Sequence, residues 1–358
     1  MAWDMSIIDS LKSLSAGEGL SREKLKDLYN QELTNSLAAN PWEITAENGL
    51  EKIQERSFWF TQVYPQVKQL SQQLGLKDSE MIGVTLWRLW LPLALQLAEA
   101  KQRKGSPYIV GILGGQGTGK TTLTTIIHTI LAAMNYRSFG FSIDDIYKTY
   151  QERQLLKTQE GLIWRGPPGT HDLEAGLKVL DQVLQTERTE PILIPRFKKS
   201  LYNGEGDRIE PQPLTGVIDI VIFEGWFVGV RPLDDTVFES LSCPIACEDK
   251  PFARSCNQRL KDYLPLWERL DYLIILNPRD YRLSKQWRKE AEHQMRSRGE
   301  NGMSDDEIEQ FVDYFWQALH PELFITPLTQ NPGAADLVVE INSDHSPGKI
   351  YKPQYSIS

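Results

Sequence analysis

Between residues 114 and 121 the chain reads Gly114-Gly115-Gln116-Gly117-Thr118-Gly119-Lys120-Thr121. A glycine, four residues, then glycine-lysine-threonine is the phosphate-loop pattern, and its flanks agree with it. Residues 108–113 form an apolar run that predicts a buried strand, and the stretch from 121 to 134 predicts a helix. The glycines let successive backbone N–H groups turn toward one point, where the new helix adds its positive end. Lys120 is expected to reach the β- and γ-phosphates of a nucleoside triphosphate, and the Thr121 hydroxyl to ligate Mg²⁺. With Thr122 in the first helical turn, these residues are the expected nucleotide cradle.

From about residue 106 strand-like and helix-like segments alternate, which predicts an α/β fold: a parallel sheet flanked by helices, of the P-loop NTPase type. Strands are expected at 108–113, 137–142, 192–194, 217–223, 272–276 and 337–341, and helices at 172–185, 255–269, 281–298 and 305–318. Segments 217–223 and 272–276 are nearly unbroken apolar runs, as in central parallel strands. Ser304-Asp305-Asp306-Glu307 opens the last of these helices as a capping box. Residues 1–105 carry no nucleotide motif and read as helices at 7–15, 21–38, 50–73 and 79–104. The expected organisation is therefore a helical N-terminal region, 1–105, and a P-loop domain, 106–358, with a lid around 278–303. The polar connections 146–170 and 197–213 are long enough to be functional.

Composition narrows the function. A net charge of −9 argues against general nucleic-acid binding, which needs a concentrated basic surface. Three cysteines in 358 residues do not make a disulfide framework, and Cys243 and Cys247 lack a second Cys/His pair at the spacing zinc needs. The most hydrophobic stretch, 82–98, contains Arg88 and Pro92 and is shorter than a bilayer span of about 20 residues, so a buried helix is expected there. Residues 1–5 show no basic region leading into an apolar segment, and the expectation is a cytoplasmic protein without membrane partners.

Open α/β sheets bind ligands at the carboxyl ends of their strands. Ser142-Ile143-Asp144-Asp145-Ile146-Tyr147 closes the second expected strand; Asp144 is placed to accept the proton of an attacking hydroxyl or to hold Mg²⁺ through water, with Tyr147 beside it. Glu224, closing the apolar run 217–223, has the position of a metal-orienting carboxylate. In Arg165-Gly166-Pro167-Pro168-Gly169-Thr170-His171-Asp172, Asp172 or Thr170 can cap the next helix, while Arg165 suits bidentate pairing with a small carboxylate or phosphate and His171 suits a substrate contact. Arg196, Lys198 and Lys199 form a cationic group after the third expected strand, with Arg196 and Lys199 as candidate anion ligands. Arg282 and Arg288, in helical phase, are candidates for neutralising a transferring phosphoryl group from the lid.

Taken together, these phrases resemble the D-glycerate 3-kinase family of plants and cyanobacteria, within the branch of P-loop kinases that holds phosphoribulokinase, uridine kinase and pantothenate kinase. Residues 109–340 carry the likeness. Its most specific parts are the 165–172 phrase, 195–207 with Arg208, and Phe223-Glu224-Gly225-Trp226, and Trp287-Arg288-Lys289-Glu290-Ala291-Glu292 with Gly302-Met303-Ser304 adds to the match. The resemblance implies ATP-dependent, Mg²⁺-dependent phosphorylation of D-glycerate to 3-phosphoglycerate, as in the last step of photorespiration. Two other readings stay open: a kinase for another small hydroxyl compound, such as a nucleoside, a sugar phosphate or a pantothenate-like alcohol, and a nucleotide-dependent regulatory module. The guanine-reading phrase Asn-Lys-x-Asp is absent, against a GTP switch. The adenine pocket is expected near the loop 342–345.

Overall fold

In the computed structural model, which describes residues 5–76, 78–297 and 303–354, a six-stranded sheet runs in the order β2-β5-β1-β6-β7-β8. The strands are β1 (Tyr108–Gly114), β2 (Ser138–Ser142), β5 (Ile220–Gly225), β6 (Tyr272–Pro278), β7 (Leu337–Ile341) and β8 (Pro347–Tyr351). All pair in parallel except β8, an antiparallel edge strand after β7. Ile220, Val221, Ile222 and Phe223 are all buried, as is the run Tyr272 to Leu276, so these strands are covered on both faces.

The register places the chemistry. Glu224 lies between Ile112 of β1 and Ser142 of β2, so the strand-end carboxylate sits one strand from the phosphate loop and one strand from the Asp144 turn.

Two expectations change here. The segment expected as a third sheet strand, β3 (Ile192–Lys198), instead pairs antiparallel with β4 (Asp207–Leu214) as a hairpin of its own. Pro195 brings no N–H to a ladder, and the pairing shifts register across it, between Ile194 and Arg196. The expected helix 255–269 begins earlier, at Lys250, with Pro251 in its first turn, and ends at Arg259; Pro265 then opens the short helix Leu264–Trp267. The long connection after β2 contains a helix, Tyr150–Glu160, opened by a Thr149/Glu152 capping box.

Residues 5–104 are helical: Met5–Ser15, Arg22–Thr34, Gly49–Gln73, and a continuous run from Ser79 to Lys104. The expected helix 21–38 stops at Asn35, whose extended backbone breaks it before Ser36–Ala39. Within the last run, Leu91 donates to the Leu86 carbonyl five residues back, a π turn just before Pro92, which has no N–H to give. By length and composition this run could cross a bilayer, yet 78% of its apolar window is buried within the protein. These helices and the phosphate-loop helix Lys120–Ala133 share one core, which joins Phe60, Trp87 and Leu91 to Ile126, Ile130 and Ile222. The opposite face of the sheet has a second core of Phe141, Phe223, Trp226, Tyr263, Trp267 and Phe315.

Candidate active site

The phosphate loop leaves β1 at Gly114 and re-enters helix at Lys120. Gly117 and Gly119 have φ of 76° and 88°, left-handed values that glycine adopts without strain. A Cβ on Gly117 would stand 2.4 Å from the Cβ of Trp287, so the lid helix packs directly on the loop. Thr118 Oγ1 donates to the Gly115 carbonyl at 2.9 Å and fixes the turn. Lys120 folds back, with Nζ donating to the carbonyls of Gly114 (2.7 Å) and Gly115 (2.9 Å). Burial lowers the Lys120 pKa, while Glu224 and Asp144 support its charge. Gln116 and Arg282 both line one cavity beside the loop.

At the loop's carboxyl side, the Thr121 hydroxyl donates to Glu224 Oε1 at 3.1 Å. Burial raises the Glu224 pKa, opposed by Lys120 and Thr121, and Glu224 Oε2 is buried with no hydrogen-bond partner. A buried, unpartnered carboxylate oxygen beside a threonine hydroxyl fits a hard divalent cation, which takes oxygen ligands. Among the described residues no three His, Cys, Asp or Glu side chains gather into a cage. Mg²⁺ keeps most of its waters and is shared with substrate phosphates, so Thr121 and Glu224 are the side chains that would hold it.

Asp144 stands in the short turn Ile143–Ile146 after β2. Its Oδ1 accepts from the Tyr147 hydroxyl (2.7 Å) and its Oδ2 from Lys199 Nζ (2.6 Å). Burial works to raise its pKa, but Lys199 and the two hydrogen bonds together hold it well below the usual carboxylate range. The neighbouring Asp145 has a different task. Its Oδ2 accepts from the Ser142 N–H and from Arg196 Nη1, both at 2.9 Å. Arg196 also gives Nε and Nη2 to Gln212, so its guanidinium is spent on tying the β3–β4 hairpin to the Asp144 turn.

The 165–172 loop is clamped rather than loose. Trp226 Nε1 donates to the Gly166 carbonyl at 3.1 Å, and a Cβ on Gly166 would meet the Phe315 ring at 2.2 Å. Asp172 caps the helix Leu173–Leu184 and accepts from Arg208, while Thr170 closes the loop on Pro167. Arg165 gives Nη1 to the carbonyls of Gly204 (2.6 Å) and Glu205 (3.1 Å). His171 is buried, stacked on Tyr147 with ring centres 4.6 Å apart. Tyr263 accepts from the Gly169 N–H, so its own proton is directed to His171 Nδ1 at 2.7 Å. That leaves Nε2 as the protonated nitrogen, and Nε2 is buried without a partner. Burial pulls the His171 pKa down to about 3, so the ring is neutral.

The lid helix is Leu283–Ser297, and the expected lid residues 298–302 lie outside the described residues. Arg282 therefore precedes the helix instead of sharing its phase with Arg288. It pairs with Asp280 at 3.3 Å and remains largely exposed. Arg288 is paired with Glu292 one turn on, and the buried Glu292 also accepts from the Met303 N–H at 3.1 Å. The pair ties the lid helix to the start of the next one.

A cavity of about 600 Å³ opens beside the loop, lined by Gln116, Trp226, Arg282, Phe315 and Trp316. Sequence reasoning gave no role to Tyr263, Trp226 or Glu292, although the last two stand in phrases that carry the family resemblance. The adjacency of Trp226 to Glu224 was a usable signal, whereas Tyr263 lies more than 90 residues from the histidine it orients.

No family model matches the chain. It is 28% identical over 278 residues to the chloroplastic D-glycerate 3-kinase of Arabidopsis thaliana, which is 72% of this chain and 58% of the plant protein. It is 32% identical over 232 residues to an uncharacterised kinase of Schizosaccharomyces pombe, 61% of this chain and 82% of that protein. Among solved structures, a D-glycerate 3-kinase from Cryptococcus neoformans matches with a TM-score of 0.62 at 27% identity, covering 73% of this chain and 97% of the fungal one.

Proposed function

The chain belongs to the D-glycerate 3-kinase family of P-loop kinases, and from that premise we propose that it transfers the terminal phosphoryl group of ATP to D-glycerate, giving 3-phosphoglycerate and ADP. The observation that carries this reading is the convergence at one sheet edge of Lys120, the Thr121–Glu224 pair and an ionised Asp144. An ionised carboxylate is what a hydroxyl needs to lose its proton as it attacks phosphorus. A cytoplasmic setting and a role in photorespiratory glycerate salvage belong to the same proposal.

In this mechanism the loop amides and Lys120 hold the β- and γ-phosphates. When bound, Mg²⁺ neutralises charge on those phosphates; Thr121 and Glu224 are the side chains that would hold it, with Asp144 assisting through water. Arg165, which gives only Nη1 to the protein among the described residues, pairs with the glycerate carboxylate in preference to the engaged Arg196. His171 Nε2–H and Tyr147 orient the substrate. Lys199, with its side chain 59% exposed, is free to follow the developing phosphoryl charge. As it leaves Asp144, the carboxylate becomes more basic at the moment it takes the proton. Arg282, largely exposed, completes the charge neutralisation from the lid, and Arg288 joins it only by leaving its pair with Glu292.

Asp144→Asn tests this directly: turnover falls by about 10²–10⁴-fold while ATP affinity stays near wild type. Wild-type turnover in that variant would remove Asp144 as the base. A second reading, a kinase for a larger hydroxyl compound, draws on the cavity of about 600 Å³, more room than a three-carbon acid fills. An ADP-release assay over hydroxy acids, nucleosides, sugar phosphates and pantothenate-like alcohols separates the two, and nucleotide binding without any phosphorylated product would favour the regulatory module.

A further inference from the structure

We propose that the helical N-terminal region forms one wall of the pocket for the nucleotide's base, so that Leu74, Met81, Leu89 and Trp90 help to select the purine that the phosphate loop alone cannot read. The inference rests on the ATP reading above and adds the surface that recognises the other end of the molecule.

A groove of about 790 Å³ is lined by the phosphate loop from Gly117 to Thr122, and neither Asp144 nor Glu224 lines it. Its far side is not built by the kinase domain alone. Trp287 of the lid helix and the loop after β7 contribute to its lining, and so do Leu74, Met81, Leu89 and Trp90 of the N-terminal region. Trp287 is fixed there, its ring against His345 with centres 4.6 Å apart and its Nε1 donating to the Ser343 carbonyl at 3.1 Å. Leu74 and Met81 are 41% and 44% exposed, and both line the groove. Apolar side chains left open on a groove that begins at a phosphate cradle are the expected flank for a flat heterocycle.

Charge along the groove points the same way. The loop end has Lys120 and the helix N-terminus, which suit phosphates. The lining also has Glu290 and Asp344, which repel an anion and, beyond the bonds Glu290 Oε1 takes from Gln286 and Asp344 Oδ1 from Ser346, keep acceptor capacity. A ligand that is polyanionic at one end and offers a neutral amino group at the other matches both, and adenosine triphosphate has that polarity. The loop 342–345, expected from the sequence to form this pocket, supplies only part of it.

Two variants probe the walls separately: the double substitution Leu74→Gln with Met81→Gln, at exposed positions where folding is not at stake, and Ala291→Phe, which fills the groove from the exposed lid side. Calorimetry with ATP and with inorganic tripolyphosphate reads base and phosphate recognition apart. The expected result is a loss of ATP affinity of about fivefold or more in both variants, from lost apolar contact or lost space, with tripolyphosphate affinity unchanged. Unchanged ATP affinity overturns the proposal. Equal weakening of both ligands also overturns it, since that marks damage to the cradle. Because binding is the readout, failure of glycerate phosphorylation would sink the acceptor assignment and leave this result to stand or fall by itself.

Discussion

At the scale of single residues, the site works by holding each ionisable group in one state. Asp144 is kept charged by Lys199 and Tyr147. His171 is kept neutral by burial and given one tautomer by Tyr263. Nitrogen NMR of the histidine ring should therefore show a neutral Nε2–H form from pH 5 to 8, and Tyr263→Phe should broaden or shift that signal; a ring that gains charge near pH 6.5 contradicts the assignment. The same burial has a sign in stability. The unfolded chain takes up a proton on His171 near pH 6.5, whereas the folded chain does so only at about 3, and His128 behaves likewise at about 4. Unfolding thus gains protons as the pH falls through that window, and stability declines there. Denaturant midpoints measured from pH 7 to 4 check it, with His171→Gln and His128→Gln expected to flatten the slope. Gly117 is a residue of another kind. Alanine there meets both a left-handed backbone and the Trp287 side chain, so Gly117→Ala should raise KM for ATP and lower the melting temperature together.

At the scale of elements, the N-terminal helices are joined by a buried polar knot. Arg56 Nη1 reaches Glu32 Oε1 at 3.2 Å, Trp87 Nε1 donates to the same oxygen at 2.8 Å, and the Arg56 guanidinium lies 5.1 Å from the Trp87 ring centre. Three helices meet there. Glu32→Ala leaves a buried guanidinium unpaired and is expected to cost about 3–5 kcal/mol, read as a lower denaturant midpoint; a loss under about 1 kcal/mol would mean the pair behaves as a surface one. Nothing in the spacing of Glu32, Arg56 and Trp87 announces this contact. The sequence does disclose elements whose cause is local. The phosphate loop, β5 and β6 follow from glycine spacing and unbroken apolar runs, and Glu224 and Asp144 from standing where such strands end. β4 and β8 do not follow, because their segments carry proline, glycine and charge in place of apolar alternation; β3 was legible as a strand from Ile192–Ile194, but its antiparallel pairing outside the main sheet was not, since that is set by what it meets in three dimensions. Arg196 illustrates the same limit: its charge was visible, its partner Asp145 was not. The start of the lid helix after Arg282 was likewise a matter of local turn geometry around Asp280.

At the scale of the molecule, one sheet separates two tasks. The face that carries the phosphate-loop helix is sealed by the N-terminal helices through a common core, and the opposite face holds the 165–172 loop and the aromatic cluster around Tyr263 and Phe315. In the proposed reaction the two ligands would meet at the same sheet edge from different sides. A chain cut to residues 106–358 would uncover Ile126 and Ile130 of the phosphate-loop helix. It should be recovered only as aggregated or unstable protein; a soluble, cooperatively folding fragment would show that the two regions are independent. The most direct test of the whole account is phosphorus NMR of the purified protein incubated with Mg²⁺, ATP and D-glycerate. Conversion of ATP to ADP with a matching phosphomonoester signal of 3-phosphoglycerate, absent for the Lys120→Ala variant, is the predicted result. ATP that stays intact, or a phosphoryl group that leaves only to water while glycerate is untouched, contradicts it.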